Sequence, residues 1–183
     1  MRALSRAGVF LVLALVSGCG IQFSNLDRSA KVNRGGEAVV VLAVQPRSRV
    51  SLFEGESHDG EWTCKSLFNI ANVYPEGGFI VLKLEPRAGN KNYGIGQVLP
   101  DGIGGDSFIV RRDAAVPSFH APPGRVTFVG GIRLEQHGRR MRLTADESAT
   151  VDDVERFLKA TYPGLAGEVA ADPLVFLRAD GGC

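Results

Sequence analysis

The sequence predicts a mainly β domain, a β-sandwich of about eight or nine short, mostly antiparallel strands with one amphipathic helix packed on it in the C-terminal region. Three observations predict this. Short apolar runs are separated throughout by clusters of Gly, Pro, Asn and Asp, the pattern of strands joined by turns. Only one stretch, residues 150–162, spaces its apolar residues for a helix. Glycine is abundant, 23 of 183 residues, and methionine scarce at 2, which suits a chain with many turns. A sandwich hides both sheet faces without a metal or cofactor, so no cofactor is expected.

Residues 1–20, MRALSRAGVFLVLALVSGCG, stand apart from this pattern. Arg2 and Arg6 precede an unbroken apolar run over residues 9–16, and Ser17 and Gly18 lead into Cys19. Basic, then apolar, then small is the layout of a secretory signal peptide. The run falls short of the roughly 20 apolar residues a membrane-spanning helix needs. Val16-Ser17-Gly18-Cys19 resembles the lipobox of bacterial lipoproteins. That resemblance implies a signal peptide over residues 1–18, diacylation of Cys19, and anchoring of the mature chain in the membrane through that lipid. A cleaved signal with an unmodified Cys19 is the alternative. Gly20, where Asp would follow the acylated cysteine of an inner-membrane lipoprotein, implies the periplasmic face of the outer membrane if the cell is Gram-negative. Residues 19–36 keep no period and collect Ser, Asn, Asp, Arg and Gly, so they are expected to form a flexible tether. The domain is expected over residues 37–183.

The elements follow in order. Residues 37–44 (EAVVVLAV) read as a strand buried on both faces. Residues 49–53 alternate, and 54–61 (EGESHDGE) read as a polar turn. A short strand over 62–68 and a firm one over 79–84 (FIVLKL) come next. Residues 93–99, 107–111, 117–121 and 125–134 continue the strands, with Pro122-Pro123-Gly124 as a turn. A hairpin turning at His137-Gly138 would set Leu134 opposite Met141, Ile132 opposite Leu143 and Arg133 opposite Arg142. The helix, about residues 151–162, has Thr150 as cap and Asp153 three residues on. Val151, Val154, Phe157, Leu158 and Tyr162 make its apolar face, and Pro163-Gly164 stops it. Residues 165–172 read as linker, and 173–178 as a closing strand.

Two of these pieces, Phe119-His120-Ala121-Pro122-Pro123-Gly124-Arg125-Val126-Thr127-Phe128-Val129-Gly130 and Thr161-Tyr162-Pro163-Gly164-Leu165, resemble uncharacterised bacterial lipoproteins with a small sandwich domain. The resemblance covers about the last third of the chain and implies no catalytic residue.

Charge and cysteines bound the function. Removing the leader leaves 19 basic residues against 20 acidic, and no global charge draws the chain to nucleic acid. With Cys19 lipidated, Cys64 and Cys183 remain, an even number in an oxidising compartment. Either they form a disulfide or they stay as two thiols. Metal spacings such as CxxC or HxxxH do not occur, so no metal is expected.

Catalytic patterns are equally thin. No Gly-x-Ser-x-Gly elbow exists, and Ser57, His58 and Asp59 are adjacent, so their side chains point apart. Glu54, Glu56 and His58 could share a face only if a strand ran through them, which Gly55 and Gly60 oppose. The glycine-rich loop 100–106 leads into a strand rather than a helix, so it lacks the dipole a phosphate site uses. His120 reads as a half-buried structural residue, and Trp62, Phe68 and Tyr74 as core aromatics before a ligand platform.

Two functions of different classes fit. One is a non-catalytic, lipid-anchored module that binds or braces another envelope component. The other is a hydrolase-like periplasmic enzyme, which would need His58 or His120 beside a carboxylate in a deep cleft. For the first, Arg133, Arg140 and Arg142 would line one outer face and suit an anionic or protein partner in the envelope. The competing reading is that Asp146 and its acidic neighbours fold back and neutralise them.

Overall fold

A run of β-branched residues can be buried on both faces only as the middle of a layered structure, and β1 (Ala38–Gln45) occupies that place. The computed structural model describes residues 22–32, 36–87, 89–101, 106–137 and 140–183, with Arg140 in its backbone alone. The signal peptide, Cys19 and Arg139 therefore lie outside the described residues. β1 pairs antiparallel with β5 (Phe79–Leu84) and parallel with β9 (Val126–His137). β10 (Arg140–Ala145) and β11 (Val169–Ala171) share the far edge of β9, completing a five-stranded sheet.

The other strands are β2 (Ser48–His58), β3 (Glu61–Cys64), β4 (Ala71–Val73), β6 (Lys91–Pro100), β7 (Phe108–Ile109), β8 (Ala115–Phe119) and β12 (Val175–Ala179). They run in the order β4-β2-β3-β12-β8-β6-β7, and β2 also pairs with β6. The second sheet therefore closes on itself: β2, β3, β12, β8 and β6 form a five-strand barrel. The fold is mainly β with one helix, as expected, but the expected pair of open sheets gives way to one open sheet and one barrel. Twelve strands among the described residues replace the expected eight or nine. Closure satisfies strand edges that an open sheet would leave to solvent.

The two faces of β1 feed two cores. Val40, Leu42 and Val44 pack with Val50, Leu52, Ile95 and other residues of the barrel strands. Val39, Val41 and Ala43 pack with Val154, Leu158 and Tyr162 of the helical layer. That helix, α1 (Val151–Thr161), starts with the expected reciprocal cap: Asp153 N–H donates to Thr150 Oγ1 at 3.3 Å, and Thr150 N–H donates to Asp153 Oδ2 at 3.0 Å. It ends at Tyr162, followed by a 3-10 turn over Pro163–Leu165. Phe157 rests on Phe79, with ring centroids 4.9 Å apart, but is only half-buried. Phe157→Ala should therefore cost about 1–3 kcal/mol, less than the roughly 3–5 kcal/mol of a fully buried ring. Leu158→Ala, at a fully buried site, should cost more. Urea unfolding of both variants checks the order.

Within the barrel, Trp62 is fully buried across β2 and β6. A Cβ at Gly55 or Gly94 would run into its indole, so two glycines make the space it fills. Its Nε1–H donates to Asn92 Oδ1 at 2.9 Å, which removes the cost of burying that polar end.

Three local readings change. Residues 54–58 are strand rather than turn, because Asp59 and Gly60 alone make the reversal, at φ 49° and 82°. Asp-Gly with positive φ at both positions suits a type I′ turn. The β9–β10 register is displaced by two residues: Leu134 faces Leu143, Glu135 faces Arg142, and Arg133 faces Thr144. The pairing thus reaches His137 opposite Arg140 in place of the expected turn at 137–138, which keeps the core face and replaces an Arg–Arg pair with Glu–Arg. Residues 165–172, read as linker, contain β11.

Residues 22–32, part of the expected tether, lie along the domain. Gln22 bridges Ala71, donating its N–H to Ile70 O and accepting from Asn72 N–H. Leu26 N–H donates to Val81 O, and Asn25 Oδ1 accepts from Val81 N–H at 2.8 Å. Leu26 and Val32 pack against the helix-side core.

Candidate functional site

The docked N-terminal segment creates a concavity on the domain. Residues 23–28 form one wall and Val73–Gly77 the other, enclosing an open groove of about 900 Å³. Tyr74, half-buried, supplies an aromatic surface, with the Arg47 guanidinium 4.7 Å and that of Arg49 5.9 Å from its ring centre. Both are cation–π distances. Arg47 also ion-pairs with Asp101, and Arg28 with Glu76 at the opposite side. Tyr162 Oη donates to Glu76 Oε2 at 3.5 Å. Burial, then the Glu76 carboxylate, pushes the Tyr162 phenol up to about 12, so it stays protonated. The groove thus offers an aromatic surface, backbone edges and, in Arg28, Glu76 and Arg47, charges that already have ion-pair partners. Such a lining can hold a chain or ligand, but it contains no nucleophile next to a base.

The residues singled out from sequence are scattered. His58 is exposed, its Nε2 3.1 Å from the equally exposed Asp59 carboxylate, and His120 is exposed on the surface instead of half-buried. Neither lines the groove. The strand does run through Glu54, Glu56 and His58, but Glu54 pairs with Arg87 and Glu56 with Lys65. The three expected core aromatics part company: Trp62 is buried, Tyr74 lines the groove, and Phe68 is exposed.

Of the arginine face, Arg133 donates to Asp146 Oδ1 at 2.9 Å, and exposed Arg142 sits across from Glu135. The Arg140 side chain lies outside the described residues. Burial pushes the Asp146 carboxyl up, but hydrogen bonds from Ser148 and then Arg133 outweigh it and hold it below the usual carboxylate range. A depressed folded value gives stability that is present above the unfolded value, about 3.9, and is lost as pH falls through the folded one. The stability gap between the wild type and Asp146→Asn should therefore be widest at neutral pH and close below about pH 4. Urea midpoints measured across that range test this, and a constant gap would contradict it.

Cys64 and Cys183 are joined in a disulfide, with Cα atoms 5.5 Å apart across 119 residues of sequence. What sequence reasoning missed is the groove itself. One of its walls comes from residues read as tether, and the hints were Tyr74, a candidate ligand-platform aromatic, and apolar residues such as Phe23 and Leu26 within a polar stretch. No family model matches the chain, and no curated protein or solved structure proves similar to it.

Proposed function

We propose that this protein is a lipid-anchored lipoprotein of the bacterial envelope, a non-catalytic module that holds or braces another envelope component. One observation carries the reading: the order of base, apolar run, small residues and cysteine over residues 2–19. Two features of the domain support it. The Cys64–Cys183 bridge suits an oxidising compartment outside the cytoplasm. The groove beside the docked segment has the chemistry of a binding surface, with Arg28 paired to Glu76 across it and Arg47 paired to Asp101. Gly20 after the acylated cysteine favours the outer membrane, facing the periplasm.

Intact mass of the detergent-extracted protein should equal residues 19–183 plus a diacylglyceryl group. Cys19→Ser should stay unprocessed. If that variant is still cleaved and still sediments with membranes, the lipid is not the anchor.

A further inference from the structure

The three most exposed large apolar side chains of the described residues lie close in sequence to the point where the N-terminal segment joins the domain, while Ile109, Val175 and Phe176 are less exposed and lie elsewhere. Leu67 is 90 % exposed, Phe68 73 % and Phe23 71 %. All three lie within four residues of the bridge between Gln22 and Ala71. The loop carrying Leu67 and Phe68 is held in shape. Ser66 Oγ accepts from Phe68 N–H at 3.2 Å and donates to Phe68 O, while the disulfide at Cys64 ties the loop's base to the last residue. Two large apolar residues at the tip of a braced loop keep their exposure at a cost in solvation, unlike a floppy loop that could fold them away.

Chain length then states what lies opposite them. Three peptide links separate Cys19 from Gln22, a reach of at most about 10 Å. Gln22 is itself bonded on both sides to residues 70 and 72, so it cannot drift from the domain without breaking that bridge. A lipid on Cys19 therefore brings the bilayer surface close to this corner of the molecule. Among the described residues no helix is long and apolar enough to cross a membrane.

We infer that Phe23, Leu67 and Phe68 form a membrane-apposed face that enters the interfacial layer of the bilayer holding the Cys19 lipid, and so fixes the domain's orientation on it. The inference rests on lipidation of Cys19. A single acyl-chain cluster on a tether leaves a domain free to tumble, whereas a second, apolar contact fixes its pose. The groove, with Phe23 on its wall, would then open beside the membrane surface.

The test uses the full lipidated protein in vesicles of phosphatidylethanolamine and phosphatidylglycerol. Phe68→Trp adds a reporter at the face, and Ile109→Trp adds one at an exposed apolar site elsewhere. Native Trp62 is fully buried and gives a constant background. Replacing the lipids with versions brominated in the upper acyl chain should quench the Phe68→Trp emission by about twofold or more, at the depth of roughly 5–10 Å to which interfacial side chains enter. It should leave Ile109→Trp unchanged. If the protein carries its lipid and floats with the vesicles, yet both reporters respond alike, the face is overturned and the anchor stands. A blue shift at Phe68→Trp without bromine quenching means that protein covers the loop, and overturns it equally. A mass lacking the acyl groups overturns the anchor, and this inference with it.

Discussion

Trp62→Ala is expected to lower the stability of the domain by about 3–5 kcal/mol, the cost of emptying a fully buried indole site. The site has no easy way to collapse. Gly55 and Gly94 face the ring with bare backbone, so neither has a side chain to swing into the gap. The loss also strips Asn92 Oδ1, in a residue 2 % exposed, of its donor. The converse substitution should do similar damage: Gly94→Val puts a branched side chain where the indole lies and must displace it. Urea unfolding followed by circular dichroism measures both variants. A change below about 1 kcal/mol for Trp62→Ala would mean that the ring is not what fills this space.

The second large effect is loss of the bridge between Cys64 and Cys183. In the chain-entropy view, a cross-link over more than a hundred residues stabilises by about 4–5 kcal/mol through the unfolded chain it restricts. That is a large part of the roughly 5–15 kcal/mol by which a domain holds together. The double variant Cys64→Ala with Cys183→Ala should therefore unfold at a much lower urea concentration than the oxidised wild type. Wild type with dithiothreitol should match it. Mapping by proteolysis without reductant should recover the two cysteines in one linked peptide. Free alkylation of both would remove the basis for the effect.

How far the sequence could be read depended on the range of the interaction. Local signals translated well. Residues 79–84 are β5 to the residue, β1 is buried on both faces as its unbroken Val and Leu demand, and Thr150 and Asp153 cap α1 reciprocally. Asp59-Gly60 was equally local, but it sat within a polar stretch that looked like one long turn, so the strand running into it was cut short. Register was harder. Shifting β10 by two residues preserves the same core face, so apolar alternation cannot choose between the two pairings; the one adopted sets Glu135 opposite Arg142 and pairs Arg133 with Asp146. Barrel closure left no trace at all. It depends on β12 meeting β3 and β8, elements far away in sequence, and each strand would look the same in an open sheet. The groove was hidden for a related reason: residues 23–28 have no period of their own and gain their order from β4 and β5.

Four of the five strands in the ring, β2, β3, β6 and β8, are complete by residue 119. The facing edges of β3 and β8 have no ring neighbour until Val175–Ala179 arrives between them. A chain delivered N-terminus first therefore carries two unpaired ladders while residues 120–174 follow. For a chain exported as it is made, at roughly 5–20 residues per second, that interval lasts roughly 3–11 s, during which any similar chain nearby is a competitor for the vacant place. Crowded synthesis should accordingly favour exchange of the last strand between molecules, and the period of exposure is set by the order of the strands along the chain.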